Sequence, residues 1–143
     1  MHANARTFGA LALALLFAGA LLLSCGESYM TSDSVSVSTD NGETLDLTAI
    51  PDNIDIEDEG TVAIKIDLYY DNNQPISNAT VNLTTTRGTL GSQQLVTDTN
   101  GVGFTTLAPG EDIGWAVVTA IYKDIFATVE ISFWKGGGGD TGG

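Results

Sequence analysis

Read for polarity alone, most of the chain alternates. In TVAIKIDLYY (61–70), Val62, Ile64, Ile66, Leu68 and Tyr70 fall on one side, with Ala63, Lys65, Asp67 and Tyr69 on the other. A period of two belongs to a strand with one face on a core and one in water, whereas a helix repeats about every 3.6 residues. ATVNLTTT (79–86) sets Val81, Leu83 and Thr85 against Asn82, Thr84 and Thr86. TLDLTAI (44–50) places Leu45, Leu47 and Ala49 together in the same way. Further β-rich runs occupy 93–97, 102–107, 114–122 and 125–134. Between the runs lie turn formers: DNNQP from Asp71 to Pro75, Arg87-Gly88, and Asp98-Thr99-Asn100-Gly101. The last is the strongest local signal, because Asn-Gly favours positive φ in a tight connection.

These runs predict an all-β fold, an antiparallel sandwich of about seven strands spanning 44–134. A domain of that size buries roughly 60–65% of its unfolded surface, enough for a core without disulfides. Ahead of it, residues 25–43 are rich in Ser, Thr and Asp and read as a solvated spacer. Val35 and Val37, alternating with serines, are the one hint of a strand there. Behind it, KGGGGDTGG (135–143) offers no side chains to bury and reads as a flexible tail.

The one long apolar run is different in kind. Phe8 to Leu23 is almost entirely Ala, Leu, Phe and Gly, after a weakly basic start at His2 and Arg6. As a helix it would reach roughly 24 Å, short of the bilayer core of about 30 Å, so residues 1–24 suit a signal peptide better than a spanning helix. LLSC, Leu22 to Cys25, then resembles the lipobox of bacterial lipoproteins. That resemblance implies cleavage after Ser24, acylation of Cys25 and attachment to the membrane through its acyl chains. Gly26 in place of Asp favours the outer membrane under the enterobacterial sorting pattern, so the expected location is the cell envelope, at the outer membrane or cell surface.

Charge and residue type exclude much chemistry. The chain carries 18 acidic residues against 5 basic ones, for a net charge of −13. Loss of residues 1–24 would leave Lys65, Arg87, Lys123 and Lys135 as its cations, too few and too scattered for a phosphate-binding surface. Nucleic acid is therefore not an expected partner. The only histidine, His2, lies in the signal segment and the only cysteine would be acylated. Ser–His and Cys–His nucleophiles and Cys/His zinc sites fall with them. Carboxylate catalysis and oxygen-ligated calcium survive, but no motif places a carboxylate pair. The reading is non-enzymatic and requires no cofactor.

DNNQPISNATV (71–81) and TDTNGVGFTTL (97–107) together resemble bacterial immunoglobulin-like domains of the invasin/intimin type, group 1. TRGTL (86–90), VVTAIY (117–122) and ATVEISF (127–133) follow in the order that family shows. The resemblance covers about residues 44–134. It implies an immunoglobulin-like sandwich serving as a spacer or adhesive module on a bacterial surface, with an envelope or host-surface protein as partner and no catalytic residues. Pro75, Asn100 and Gly101 are then structural turn residues: Pro75 presets φ and Gly101 supplies positive φ.

Two groups of side chains invite a binding role beside this one. Asp55, Glu57 and Glu59, within DNIDIEDEG, would share one side of an extended segment while Ile54 and Ile56 point inward. They are candidate calcium ligands, set against a solvated crossover that protects a sheet edge. Trp115 and Trp134 would make a sugar- or protein-binding platform if exposed, with Trp134 the better placed, and would otherwise pack into the core or cover one end of it. The expected function is a structural or adhesive envelope lipoprotein; the alternative is a carbohydrate- or calcium-binding sandwich.

Overall fold

The computed structural model describes residues 31–136. The expected signal segment, Cys25 and most of the glycine-rich tail lie outside the described residues. Ten strands follow one another: β1 (Asp33–Ser38), β2 (Glu43–Ile50), β3 (Asn53–Asp55), β4 (Val62–Tyr70), β5 (Thr80–Thr85), β6 (Thr89–Leu90), β7 (Gln94–Val96), β8 (Val102–Ala108), β9 (Gly114–Tyr122) and β10 (Ile125–Trp134). They form two five-stranded sheets, ordered β1-β2-β4-β8-β6 and β3-β10-β9-β5-β7. Every pairing is antiparallel except β3 with β10.

Alternation makes the core. Val62, Ile64, Ile66 and Leu68 of β4 meet Val81 and Leu83 of β5, Val118 of β9 and Val129, Ile131 and Phe133 of β10 in one buried cluster. Each such side chain contributes roughly 1.5–3 kcal/mol by leaving water. The seven predicted runs are all strands, so the sandwich class stands.

Three strands are additional, and β1 changes a boundary. The stretch read as spacer up to residue 43 contains β1, which pairs in full register with β2 from Asp33↔Ala49 to Ser38↔Thr44. Val35 and Val37 pack against the core. On the other face Ser34 Oγ lies 3.0 Å from Thr48 Oγ1, and Ser38 Oγ lies 2.8 Å from Thr44 Oγ1. Cross-strand hydroxyl pairs and two valines suffice to hold a strand that is otherwise polar. The sandwich therefore begins at Asp33 and not at Thr44.

A buried carboxylate fastens this first hairpin to the last one. Glu43, 7% exposed, accepts from Lys123 Nζ at 2.7 Å and, more loosely, from Tyr122 Oη at 3.4 Å. The hydrogen bond to Glu43, and then that to Tyr122, raise the Lys123 ammonium above its ordinary value.

Candidate functional site

At one end of the sandwich the predicted turn residues come together. Gly101 has φ +76° and closes a turn in which its N–H donates to Asp98 O at 2.9 Å. Asp98 Oδ1 accepts from the N–H groups of Asn100 at 2.8 Å and Val102 at 3.0 Å, holding the loop shut. Only the glycine of the Asn-Gly pair takes positive φ, a type I turn followed by a left-handed residue. The turn does not join paired neighbours, because β7 and β8 lie in different sheets. Pro75 follows its turn instead of shaping it: Asn73 carries the positive φ, +65°, and Pro75 sits at a bridge opposite Tyr69. The Pro75 ring packs against the Gly101 backbone, since a Cβ on Gly101 would lie 3.1 Å from Pro75 Cβ.

Pro75 and Asn100 also border a cavity of about 570 Å³, together with Asp46, Asp67, Tyr69 and Asn73. Asp46 and Asp67 are direct cross-strand partners. Like charges so placed are relieved by Lys65 Nζ, 3.0 Å from Asp67, and by Tyr69 Oη, which donates to Asp46 Oδ2 at 2.9 Å. Desolvation first, and then the Asp46 hydrogen bond, raise the Tyr69 phenol above its ordinary value.

The acidic candidates are not gathered. Ile54 is buried and Ile56 packs against the core, but the extended geometry ends at Asp55 in a turn whose Asp58 N–H donates to Asp55 O at 3.1 Å. Alternation therefore does not carry Glu57 and Glu59 onto the side of Asp55. Both Asp55 carboxylate oxygens are engaged, Oδ1 by Glu57 N–H and Oδ2 by Gly136 N–H, each at 3.0 Å. Glu57 lies 3.8 Å from Lys135 Nζ. Among the described residues no three acidic, His or Cys side chains converge as metal ligands. Calcium and magnesium should therefore raise the melting temperature equally and slightly, by screening. A calcium-specific rise of roughly 10–20 °C, as given by a ligand at about a hundred times its Kd, would restore the metal site.

Both candidate tryptophans are exposed, Trp115 (61%) more so than Trp134 (45%), the reverse of the expected order. The reason lies in β9, which turns its small residues Ala116 and Ala120 inward and Trp115 out. Trp115 is the cross-strand partner of Ser132, and Ser132 is the parallel partner of Asn53. The small serine leaves a notch of about 370 Å³, lined by Trp115, Ser132, Glu130, Asn53, Asp52 and Asp33. Asp33, Glu130 and Ser132 were not legible as site residues, because the notch depends on strand register. Ile113, Phe104, Phe126 and Val96 are further exposed apolar residues.

No protein-family model matches the chain, and no curated protein is significantly similar to it. Among solved structures it is similar to a C-terminal 282-residue fragment of intimin in complex with the intimin-binding domain of the translocated intimin receptor. The TM-score is 0.50 at 23% identity, over 75% of this chain and 33% of the other. It is also similar to the Yersinia pseudotuberculosis adhesin InvE, with a TM-score of 0.52 at 24% identity, over 70% of this chain and 26% of the other. The chain thus spans about a third of the first and a quarter of the second. The sandwich anticipated from DNNQPISNATV and TDTNGVGFTTL is the fold that these intimin and InvE structures share with this chain.

Proposed function

We propose that the protein is a cell-envelope lipoprotein that presents one immunoglobulin-like module for a structural or adhesive role through protein contact. The observation that carries the reading is the likeness in fold to an intimin fragment bound to a receptor domain and to an adhesin. The exposed indoles of Trp115 and Trp134 supply side chains of the kind that anchor protein interfaces. The capture test uses the full chain as bait in envelope and host-surface extracts. Recovery of the same protein from repeated extracts, released by excess free domain, is the expected result, and none retained would count against the reading.

Anchoring is the second half of the proposal and rests on LLSC at the end of the apolar run. Cys25→Ala should abolish labelling by fatty acid and detergent-phase partitioning while leaving the melting temperature of the sandwich unchanged. Absence of label from the wild-type chain, where control lipoproteins incorporate it, would remove the anchor.

A further inference from the structure

We infer that the notch beside Trp115 receives a basic side chain, lysine or arginine, of the partner protein. This rests on the protein-binding reading above and gives that partner a chemistry. The notch is built by strand order. Outward residues of β10 run Phe126, Thr128, Glu130, Ser132, Trp134, so a small hydroxyl stands between two larger side chains. The parallel strand β3 brings Asn53 to one flank of Ser132, and the antiparallel strand β9 brings Trp115 to the other. One wall is therefore an indole and the rest is polar and acidic.

The carboxylates of that wall keep accepting capacity. Asp33 Oδ2 accepts from Glu130 N–H at 2.8 Å, and Asp52 Oδ1 accepts from Thr31 Oγ1 and from Asn53 Nδ2. The other oxygens of Asp33 and Asp52, and the whole Glu130 carboxylate, have no partner among the described residues. No cation among the described residues pairs with any of the three. Arg87 Nε donates to the backbone carbonyl of Trp115 at 3.3 Å and Lys135 Nζ lies 3.8 Å from Glu57, so neither is paired with these carboxylates. Three uncompensated carboxylates facing an exposed indole attract a cation twice over. The ring face draws positive charge and the aliphatic stem that carries it, and the carboxylates accept charge-assisted hydrogen bonds. A neutral sugar would use the ring and leave the charge unanswered. That decides for the basic side chain.

The test uses the full chain with Trp134→Phe, which leaves Trp115 as the only indole in a chain of 2 tryptophans. Blocked oligolysine and oligoarginine peptides are titrated at low ionic strength, with oligoglutamate and cellotetraose as comparators, and Trp115 emission is read. Saturable shifts with both basic peptides and none with the comparators are expected. Asp52→Asn with Glu130→Gln should weaken binding by about tenfold or more, as loss of charge-assisted hydrogen bonds does. Asp40→Asn with Asp124→Asn removes the same charge from exposed turns outside the notch, and should weaken binding by less than about twofold. Equal weakening by the two double variants would mean diffuse attraction to an acidic protein and would overturn the proposal. So would a shift with cellotetraose alone, or no saturable shift at all. The capture experiment is read separately, with the notch double variant in parallel. No retained protein, alongside selective peptide binding, would sink the protein-binding reading and leave the chemistry of the notch standing. A partner retained equally by the variant would keep that reading and overturn the notch as its docking point.

Discussion

Gly101→Val should destabilise the domain by about 3–5 kcal/mol, the sum of a strained backbone and an overfilled contact. The backbone there holds φ +76°, and a Cβ would lie 2.4 Å from the Leu68 carbonyl oxygen and 3.2 Å from Ile76 N. Relief by shifting is blocked, because Leu68 N–H donates to the Gly101 carbonyl at 2.8 Å. At about 4–8 °C per kcal/mol for a domain of this size, the melting temperature should fall by at least roughly 12 °C. Gly101→Ala meets the same φ and the same carbonyl, so it should show most of the loss. An alanine variant within about 1 kcal/mol of wild type would mean that neither constraint acts at this position.

Thr97→Val tests the other side of the same end, and should cost about 2–6 kcal/mol. Thr97 is 1% exposed. Its hydroxyl donates to Ile76 O at 2.7 Å and accepts from Ala79 N–H at 2.9 Å, joining the segment before β5 to the end of β7. Valine keeps the volume but leaves a buried N–H and a buried carbonyl without that partner, at about 1–3 kcal/mol each. Thr97→Ser keeps both bonds and loses one methyl, for about 1 kcal/mol. Chemical denaturation of the two variants decides the matter by their order. Serine equal to or worse than valine would show that the methyl, and not the hydroxyl, holds the site.

The sandwich was legible because β4 and β10 separate their faces cleanly. Val62, Ile64, Ile66 and Leu68 on one strand, and Ile125, Ala127, Val129, Ile131 and Phe133 on the other, leave no choice of inward side. β9 offers a choice, since Trp115, Val117 and Ile121 are as apolar as Ala116, Val118 and Ala120. Packing settles it in favour of the small side chains, burying Ala116 and Ala120 and leaving Trp115 outside. β1 was hinted at only by Val35 and Val37, although Asp40-Asn41-Gly42 is the same Asn-Gly chemistry as Asp98 to Gly101. Gly42 repeats its φ, at +79°, and its N–H donates to Thr39 O at 3.0 Å. Serine-rich composition concealed a hairpin held by two valines on the core and by hydroxyl pairs on the other face. The notch beside Trp115 lay beyond sequence reasoning altogether, because Ser132, Asn53 and Trp115 meet only through the registers of three strands.

The place of β10 in its sheet sets the order in which the molecule can assemble. It is the last strand among the described residues, yet it lies between β3 and β9 and also packs on β1 and β2. A chain emerging amino end first, from the ribosome or through a translocation pore, can close the β1-β2 hairpin and add β4 early. The second layer stays open, because β3 has no neighbour in it until Trp134 is out. Joining them closes a loop of most of the domain, a slow step dominated by non-local contacts. The ten residues of β10 therefore complete the second layer in a single late step.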